Sequence, residues 1–335
     1  MGAAAAVVIA AAIVLGVSGS DPRGSASHRP PVAEPAGTLH PLARVSSGVT
    51  LLDAASGRVR AVVPPLVVRR PVAASPAGGR FWVFDAAGPT LDVVDVRSGE
   101  VRQSVPSPVA DIGSLLPDGE NVWVSDERTG RVTLVDGRTG AIERSFGHLP
   151  GSGGSVGLAL SNGVLWIARP QALGGTGMLI GVDPRSGHVE RVIRGLLGSY
   201  QLAESPDGGF WTAGTFGSVN YLDPGRGMRV HGETSGRNFS IATDGRHAWT
   251  ADSTRGIVYQ IDGRGAVDET YQTAPGARAV AYADGAVWVG NGRDGSVTRI
   301  TTGGRVDVWR FDHRVVSLAA ADGVVLVEFG DTSRG

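Results

Sequence analysis

Short apolar runs recur along the chain at a nearly fixed spacing. Phe81-Trp82-Val83, Val122-Trp123-Val124, Leu165-Trp166-Ile167, Phe210-Trp211-Thr212, Ala248-Trp249-Thr250, Val287-Trp288-Val289 and Val325-Leu326-Val327 share one form. Their central positions lie 41, 43, 45, 38, 39 and 38 residues apart. Self-similarity at such a period marks an array of like supersecondary units.

The unit at 277–315 shows the pattern within the period. Ala279–Tyr282 is a short apolar run, and Asp284-Gly285 after it is a hairpin turn, because Gly tolerates the positive φ a tight hairpin needs. Val287–Val289 is a second run, Asn291–Gly295 a second turn and Ser296–Ile300 a third run. Thr302–Gly304 turns again, and Val306–Phe311 is the fourth. Four short antiparallel strands in about 40 residues make one propeller blade. Full units run over 66–108, 109–150, 151–196, 197–236, 237–276 and 277–315. Two fragments remain. Val316–Gly330 supplies first and second strands, and Gly48–Pro64 supplies third and fourth. Joined, they make a seventh blade and close the ring, which removes its open edges. The chain is therefore expected to be all-β, a seven-bladed β-propeller over 44–330 whose seventh blade combines N- and C-terminal strands, with a tail at 331–335.

The third hairpin is the most regular. Asp53, Asp95, Asp136, Asp183, Asp223 and Asp262 end third strands, with Gly57, Gly99, Gly140, Gly187, Gly227 and Gly265 three or four positions later. The carboxylate can accept backbone N–H groups in the turn, and the Gly can take the left-handed position, so these aspartates read as turn formers. Fourth strands such as Val101–Val105 and His188–Val192 mix Arg and Glu with apolar residues, as an outer edge needs. The six tryptophans of the ladder read as core filler between blades. Trp309 stands off the ladder, in a fourth strand, and is expected to be partly exposed.

Ahead of the repeats, 3–17 is an unbroken apolar run within a segment, 1–20, that reads as a signal peptide or membrane anchor. Either places the rest outside the cytoplasm, secreted or membrane-anchored. Residues 21–43, rich in Pro, Ser and Gly, read as a flexible linker. Composition adds exclusions. The 51 glycines lack a collagen period and suit many tight turns. A formal net charge of -1 gives no sign of nucleic-acid binding. Cysteine is absent, and the 31 basic residues are all Arg, so disulfides, thiolate metal sites, a Walker lysine and a Schiff-base lysine are excluded.

The units resemble the YVTN/NHL-type bacterial propellers, the YncE-like proteins among them. Ala279 to Asn291 (AVAYADGAVWVGN) carries the likeness, which extends over about 48–330. The units do not resemble WD40 repeats, since the combined Gly-His and Trp-Asp signature is absent. The resemblance implies a fold that hosts binding proteins and enzymes alike. Streptogramin lyase-like proteins share the blade pattern, but typically show Trp-Phe-x-Glu at the second strand. Here the matching positions end in Asp252 and Asn291. Gluconolactonase-like propellers have six blades rather than seven.

Candidate site residues fall on one face of the expected disc. Three places after each ladder position stand Asp85, Asp126, Arg169, Gly214, Asp252, Asn291 and Phe329. Asp85, Asp126, Asp252 and Asn291 could hold a divalent cation, although Asp and Asn also start turns well. Arg70, Arg278 and Arg314 precede the first strands of neighbouring blades, and Arg237 sits similarly in another. Converging guanidinium groups could hold a carboxylate or phosphate, with Tyr200, Asn238 and Asp111 on the same rim. Gly153–Gly157 matches G-x-S-x-G but leads from a loop into a strand, so it is no nucleophile elbow. The seven histidines show no local zinc spacing. Glu204 is the lone Glu on a first strand. No residue is assigned as catalytic and no cofactor is required. The preferred reading is a non-enzymatic binding, scaffold or sensor module for a small molecule, peptide or cell-envelope component. It touches the membrane only through its N-terminal segment. The alternative is a metal-dependent lyase or lactonase-type enzyme.

Overall fold

The computed structural model describes residues 37–40, 48–63, 68–74, 78–151, 154, 157–169, 177–196, 199–214 and 216–330, with backbone alone at 68–74 and 199–200. The chain divides into two units, Met1–Pro30 and Pro31–Gly335, and all described residues belong to the second. The expected signal or anchor segment therefore lies outside the described residues.

The second unit is a seven-bladed β-propeller. Blade 1 contains Val68–Ala74, Arg80–Asp85, Thr90–Asp95 and Val101–Pro106, and blade 2 Ile112–Asp118, Asn121–Asp126, Val132–Val135 and Ile142–Phe146. Blade 3 contains Gly157–Ser161, Val164–Arg169, Gly177–Val182 and Val189–Leu196, and blade 4 Ser199–Glu204, Phe210–Gly214, Ser218–Asp223 and Gly227–Glu233. Blade 5 contains Asn238–Thr243, Ala248–Asp252, Ile257–Ile261 and Val267–Gln272, and blade 6 Ala277–Ala283, Ala286–Asn291, Ser296–Thr301 and Val306–Arg310. Blade 7 joins Arg314–Ala321 and Val324–Gly330 to Gly48–Asp53 and Val59–Val62. In it Leu326 lies opposite Leu51 in an antiparallel pairing between the two ends of the chain.

The core is not one mass but a wedge at each seam between blades. Trp82 packs at the blade 1–2 seam and Trp123 at 2–3; Trp166, Trp211, Trp249 and Trp288 follow in turn to 6–7. All six are buried. Each buries roughly 150–250 Å² of mostly apolar surface, so the ladder dominates the packing between sheets. The turn aspartates behave as expected. In Asp136–Gly140, for example, Asp136 Oδ1 accepts the N–H groups of Arg138 (2.9 Å) and Thr139 (2.7 Å), and Gly140 has φ 75°. The same carboxylate turn forms at Asp53, Asp95, Asp183, Asp223 and Asp262. The Ser56 hydroxyl and Arg60 hold the Asp53 carboxyl down at about 2.

Two expectations need correcting. Trp309 is buried, because its indole stacks on Trp288 at 5.3 Å on one side and on the His40 ring at 4.9 Å on the other. His40 comes from the stretch expected to be a flexible linker. Of 21–43 only 37–40 are described, and Thr38–His40 forms a strand parallel to Val306–Arg310. This fifth strand covers the outer edge of blade 6, which an exposed, strand-hungry edge otherwise leaves open.

Candidate functional site

The first and second strands of a blade run antiparallel, so the start of one lies beside the end of the other. Val68 pairs with Asp85, Ile112 with Asp126, Ser199 with Gly214, Asn238 with Asp252, and Ala277 with Asn291. Both sets of candidate residues thus share one face around the mouth of the central channel.

The register is interrupted just inside that mouth. In blades 1, 2, 4, 5, 6 and 7 the first strand shifts against the second within its opening residues. A bulge leaves a residue unpaired and re-aims its side chain, a device common beside functional sites. The skipped residues include Arg70, Gly113, Tyr200, Phe239, Arg278 and Val316. Arg70, Arg278 and Arg314 therefore stand within first strands rather than before them, while Arg237 does precede its strand. Of Arg70 and Tyr200 only the backbone is described.

Arg278 has the clearest geometry. Its guanidinium lies 4.8 Å from the centre of the Phe239 ring, which the neighbouring bulge of blade 5 presents. Stacking on an aromatic face orients a guanidinium. Arg278 is exposed and Phe239 half-buried. Across the described mouth loops of blades 5 to 7, Arg237, Arg255, Arg278, Arg293 and Arg314 are exposed, against the exposed carboxylates of Asp294 and Asp312. Arg255 donates to the Ser235 hydroxyl at 2.7 Å. On blades 1 and 2 the exposed charges are mixed, Asp111 and Glu127 beside Arg128. The face is electropositive on one side.

The candidate metal residues do different work. Asp126 Oδ1 accepts the N–H groups of Arg128 (2.8 Å) and Thr129 (2.9 Å), the same turn as at the opposite face. Burial raises its carboxyl, but bonds from Thr129 and Arg128 outweigh it and hold it below the usual range. Asp252 Oδ1 accepts from Thr254 and Arg255 at 2.8 and 3.1 Å. Its Oδ2 is buried with no protein donor among the described residues, as are the Oδ1 atoms of Asn238 and Asn291. Asn291 Nδ2 donates to the Ser296 and Thr298 hydroxyls at 2.9 and 3.2 Å. Asp85 Oδ1 accepts from Ala87 at 2.8 Å. Arg169, buried at the corresponding place in blade 3, donates to the Leu149 and Pro150 carbonyls at 2.8 and 2.9 Å and so ties a loop down. Among the described residues no three His, Asp or Glu side chains gather closely enough to hold a metal ion. Asp252 also has little room for one: a Cβ on Gly236 would fall 2.2 Å from its Oδ2. Glu204 ends its strand opposite Phe210, on the far face from the mouth.

The sequence pattern did not single out Phe239 or Phe216. Phe216 sits in the mouth loop of blade 4 and is 72% exposed, the most exposed of the large apolar side chains among the described residues. An exposed aromatic side chain is a common anchor in binding hot spots.

No protein-family model matches the sequence, and no curated protein sequence matches it. Solved structures do. The chain is similar to BamB from Moraxella catarrhalis, with 20% identity, TM-score 0.53, and 84% of this chain and 79% of that one covered. It is similar to a streptogramin B lyase, with 14% identity, TM-score 0.67, and 84% and 95% covered. It is also similar to a catalytically inactive histidine variant of virginiamycin B lyase from Staphylococcus aureus with quinupristin, with 12% identity, TM-score 0.63, and 77% and 94% covered. Identities this low establish the propeller fold and leave its use open.

Proposed function

We propose that this chain is an extracytoplasmic, non-enzymatic binding module of the YVTN/NHL, YncE-like kind. Its channel mouth takes a carboxylate- or phosphate-bearing ligand on the side formed by blades 5 to 7. The observation that carries this reading is Arg278, raised on a bulge, exposed, and stacked over Phe239 at 4.8 Å. Arg237 and Arg314 stand two positions before Phe239 and Val316, the residues of the flanking blades that match Arg278, so guanidinium groups from three adjacent blades rim this side of the mouth. Phe216 adds an apolar anchor, which favours a peptide or envelope component over a bare ion. The apolar run at 3–17 supports placement outside the cytoplasm.

A titration tests the reading. The protein is titrated with citrate by calorimetry at low and high salt. Binding is expected to weaken as salt rises, since exposed charges are screened. Arg278→Ala is expected to weaken it about tenfold, the worth of one charged hydrogen-bonding partner. Equal affinity in both proteins would count against the site.

The second reading is a metal-dependent lyase or lactonase-type enzyme. The buried acceptors Asp252 Oδ2 and Asn291 Oδ1 favour it. The turn bonds of Asp126 and Asp252 and the crowding at Gly236 speak against it. It requires turnover of a substrate such as quinupristin that depends on an added divalent ion and is lost in Asp252→Ala.

A further inference from the structure

On the face opposite the mouth, two cavities of about 490 and 520 Å³ adjoin at Asn162 between blades 3 and 4. Ser161, Asn162, Glu204, Ser205, Pro206, Asp207 and Gly208 line the first. The second is bounded by Trp166, Glu190, Arg191 and Pro224, among others. We propose that this groove is a second binding site, which takes a ligand bearing an ammonium or guanidinium group against Glu204.

The walls are fixed in place. The Ser161 hydroxyl donates to the Gly208 carbonyl at 2.9 Å and latches the first hairpin turn of blade 3 to that of blade 4. Gly208 has φ +80°, and a Cβ there would come 2.9 Å from Asn162 Nδ2. The Tyr221 hydroxyl donates to Asp207 Oδ2, and the Gly209 N–H to Asp207 Oδ1 at 3.2 Å, so the second turn is braced as well. Arg191 donates to the Pro224 carbonyl and holds the far wall.

These bonds occupy Asp207 and Arg191 and leave Glu204 in the first cavity and the exposed Glu190 at the second. Asp207 is committed to Tyr221, and Arg191 to Pro224. Glu204 is exposed as a whole residue, no cation among the described residues pairs with it, and the partial burial of its carboxyl pushes it up. A partly desolvated carboxylate without a counter-ion is stabilised most by a cation brought to it. Trp166 gives a second, independent sign. The ladder tryptophans Trp123 and Trp249 donate their indole N–H to an Asp five residues earlier, Asp118 at 3.1 Å and Asp244 at 3.3 Å. At the same position blade 3 has Ser161, turned toward Gly208 instead. The buried Trp166 N–H is left with no acceptor among the described residues, as are those of Trp82 and Trp288, and of the three only Trp166 lines one of these cavities. The groove therefore combines the Glu204 acceptor with an unsatisfied indole N–H behind its second wall.

The test uses the full chain and calorimetry. The probes are N-acetyl-arginine amide, N-acetyl-lysine amide and a tri-arginine peptide, against wild type and Glu204→Gln. Wild type is expected to bind at least one probe saturably, and Glu204→Gln to weaken it about tenfold or more. Arg278→Ala is expected to leave this binding unchanged, which separates it from the site at the mouth. Comparable affinity for a single-residue probe and the peptide assigns the groove to a small cationic ligand. Binding of the peptide alone assigns it to a basic segment of a partner protein. Failure of all three probes to bind wild type, or equal binding to Glu204→Gln, overturns the proposal.

Discussion

Trp123 and Trp288 occupy equivalent places in their blades, both fully buried, yet replacing each by Phe should have different consequences. Trp123 Nε1 donates to Asp118 at 3.1 Å. Trp288 Nε1 is buried with no acceptor among the described residues. Phe removes similar ring volume at both, so the packing loss largely cancels in the comparison. At 123 the change also removes a hydrogen bond to a carboxylate, worth about 1.5–3 kcal/mol. At 288 it removes an unsatisfied buried donor, whose presence costs about 1–3 kcal/mol. Trp123→Phe should therefore destabilise the protein more than Trp288→Phe by roughly 2.5–6 kcal/mol. Urea unfolding of both variants, followed by circular dichroism with the slope checked for constancy, measures the difference. Equal loss in the two, or a larger loss at 288, would refute the idea that the indole N–H decides the difference.

Three further outcomes follow from the same structure. Asp92 is buried, and desolvation raises its carboxyl above the ordinary range despite bonds from Ser104 and Thr90. Its charged form is disfavoured in the folded state, so stability falls as pH rises from the unfolded value through the folded one. Asp92→Asn should then raise the melting temperature at neutral pH and lose that advantage in acid. Gly57 and Gly163 both have positive φ, but a Cβ on Gly57 would lie 2.1 Å from the Trp309 ring, while Gly163 has nothing within 4 Å. Gly57→Ala should cost several times the roughly 1 kcal/mol of strain expected for Gly163→Ala, read by denaturant unfolding. His40→Ala removes the outer stack on Trp309 and a contact of 3.4 Å to Asp307, and should expose 37–40 to limited proteolysis while leaving blade content unchanged by circular dichroism.

Much of the fold is legible because a propeller repeats one physical problem. Every second strand must fill a wedge between sheets, so Trp82 through Trp288 report the seams. Six of the seven third hairpins pair a carboxylate with a left-handed Gly, so Asp53 through Asp262 report those turns, while in blade 6 the Thr301 hydroxyl takes the carboxylate's place. The ring closure is legible because half-blades at the two ends have complementary strands missing. The site is less so. A bulge depends on how a strand curves round the channel, and nothing in the alternation at Ala277-Arg278-Ala279 announces that Arg278 is skipped. Phe239 becomes a partner of Arg278 only when blades 5 and 6 meet. Asp126 and Asp252 look like ligands in a list because a turn-forming Asp and a metal-binding Asp are the same residue in sequence; only their N–H donors separate the two roles. Trp309 reads as exposed in the sequence because its cover, His40, comes from a distant stretch whose composition reads as linker.

The most direct test of the central claim is a crystal structure of the protein soaked with inorganic pyrophosphate. The account predicts the anion at the channel mouth, bound by the edge of the Arg278 guanidinium above Phe239 and by at least one of Arg237 and Arg314. Pyrophosphate bound elsewhere, with the Arg278 side chain turned away from the mouth, would contradict it.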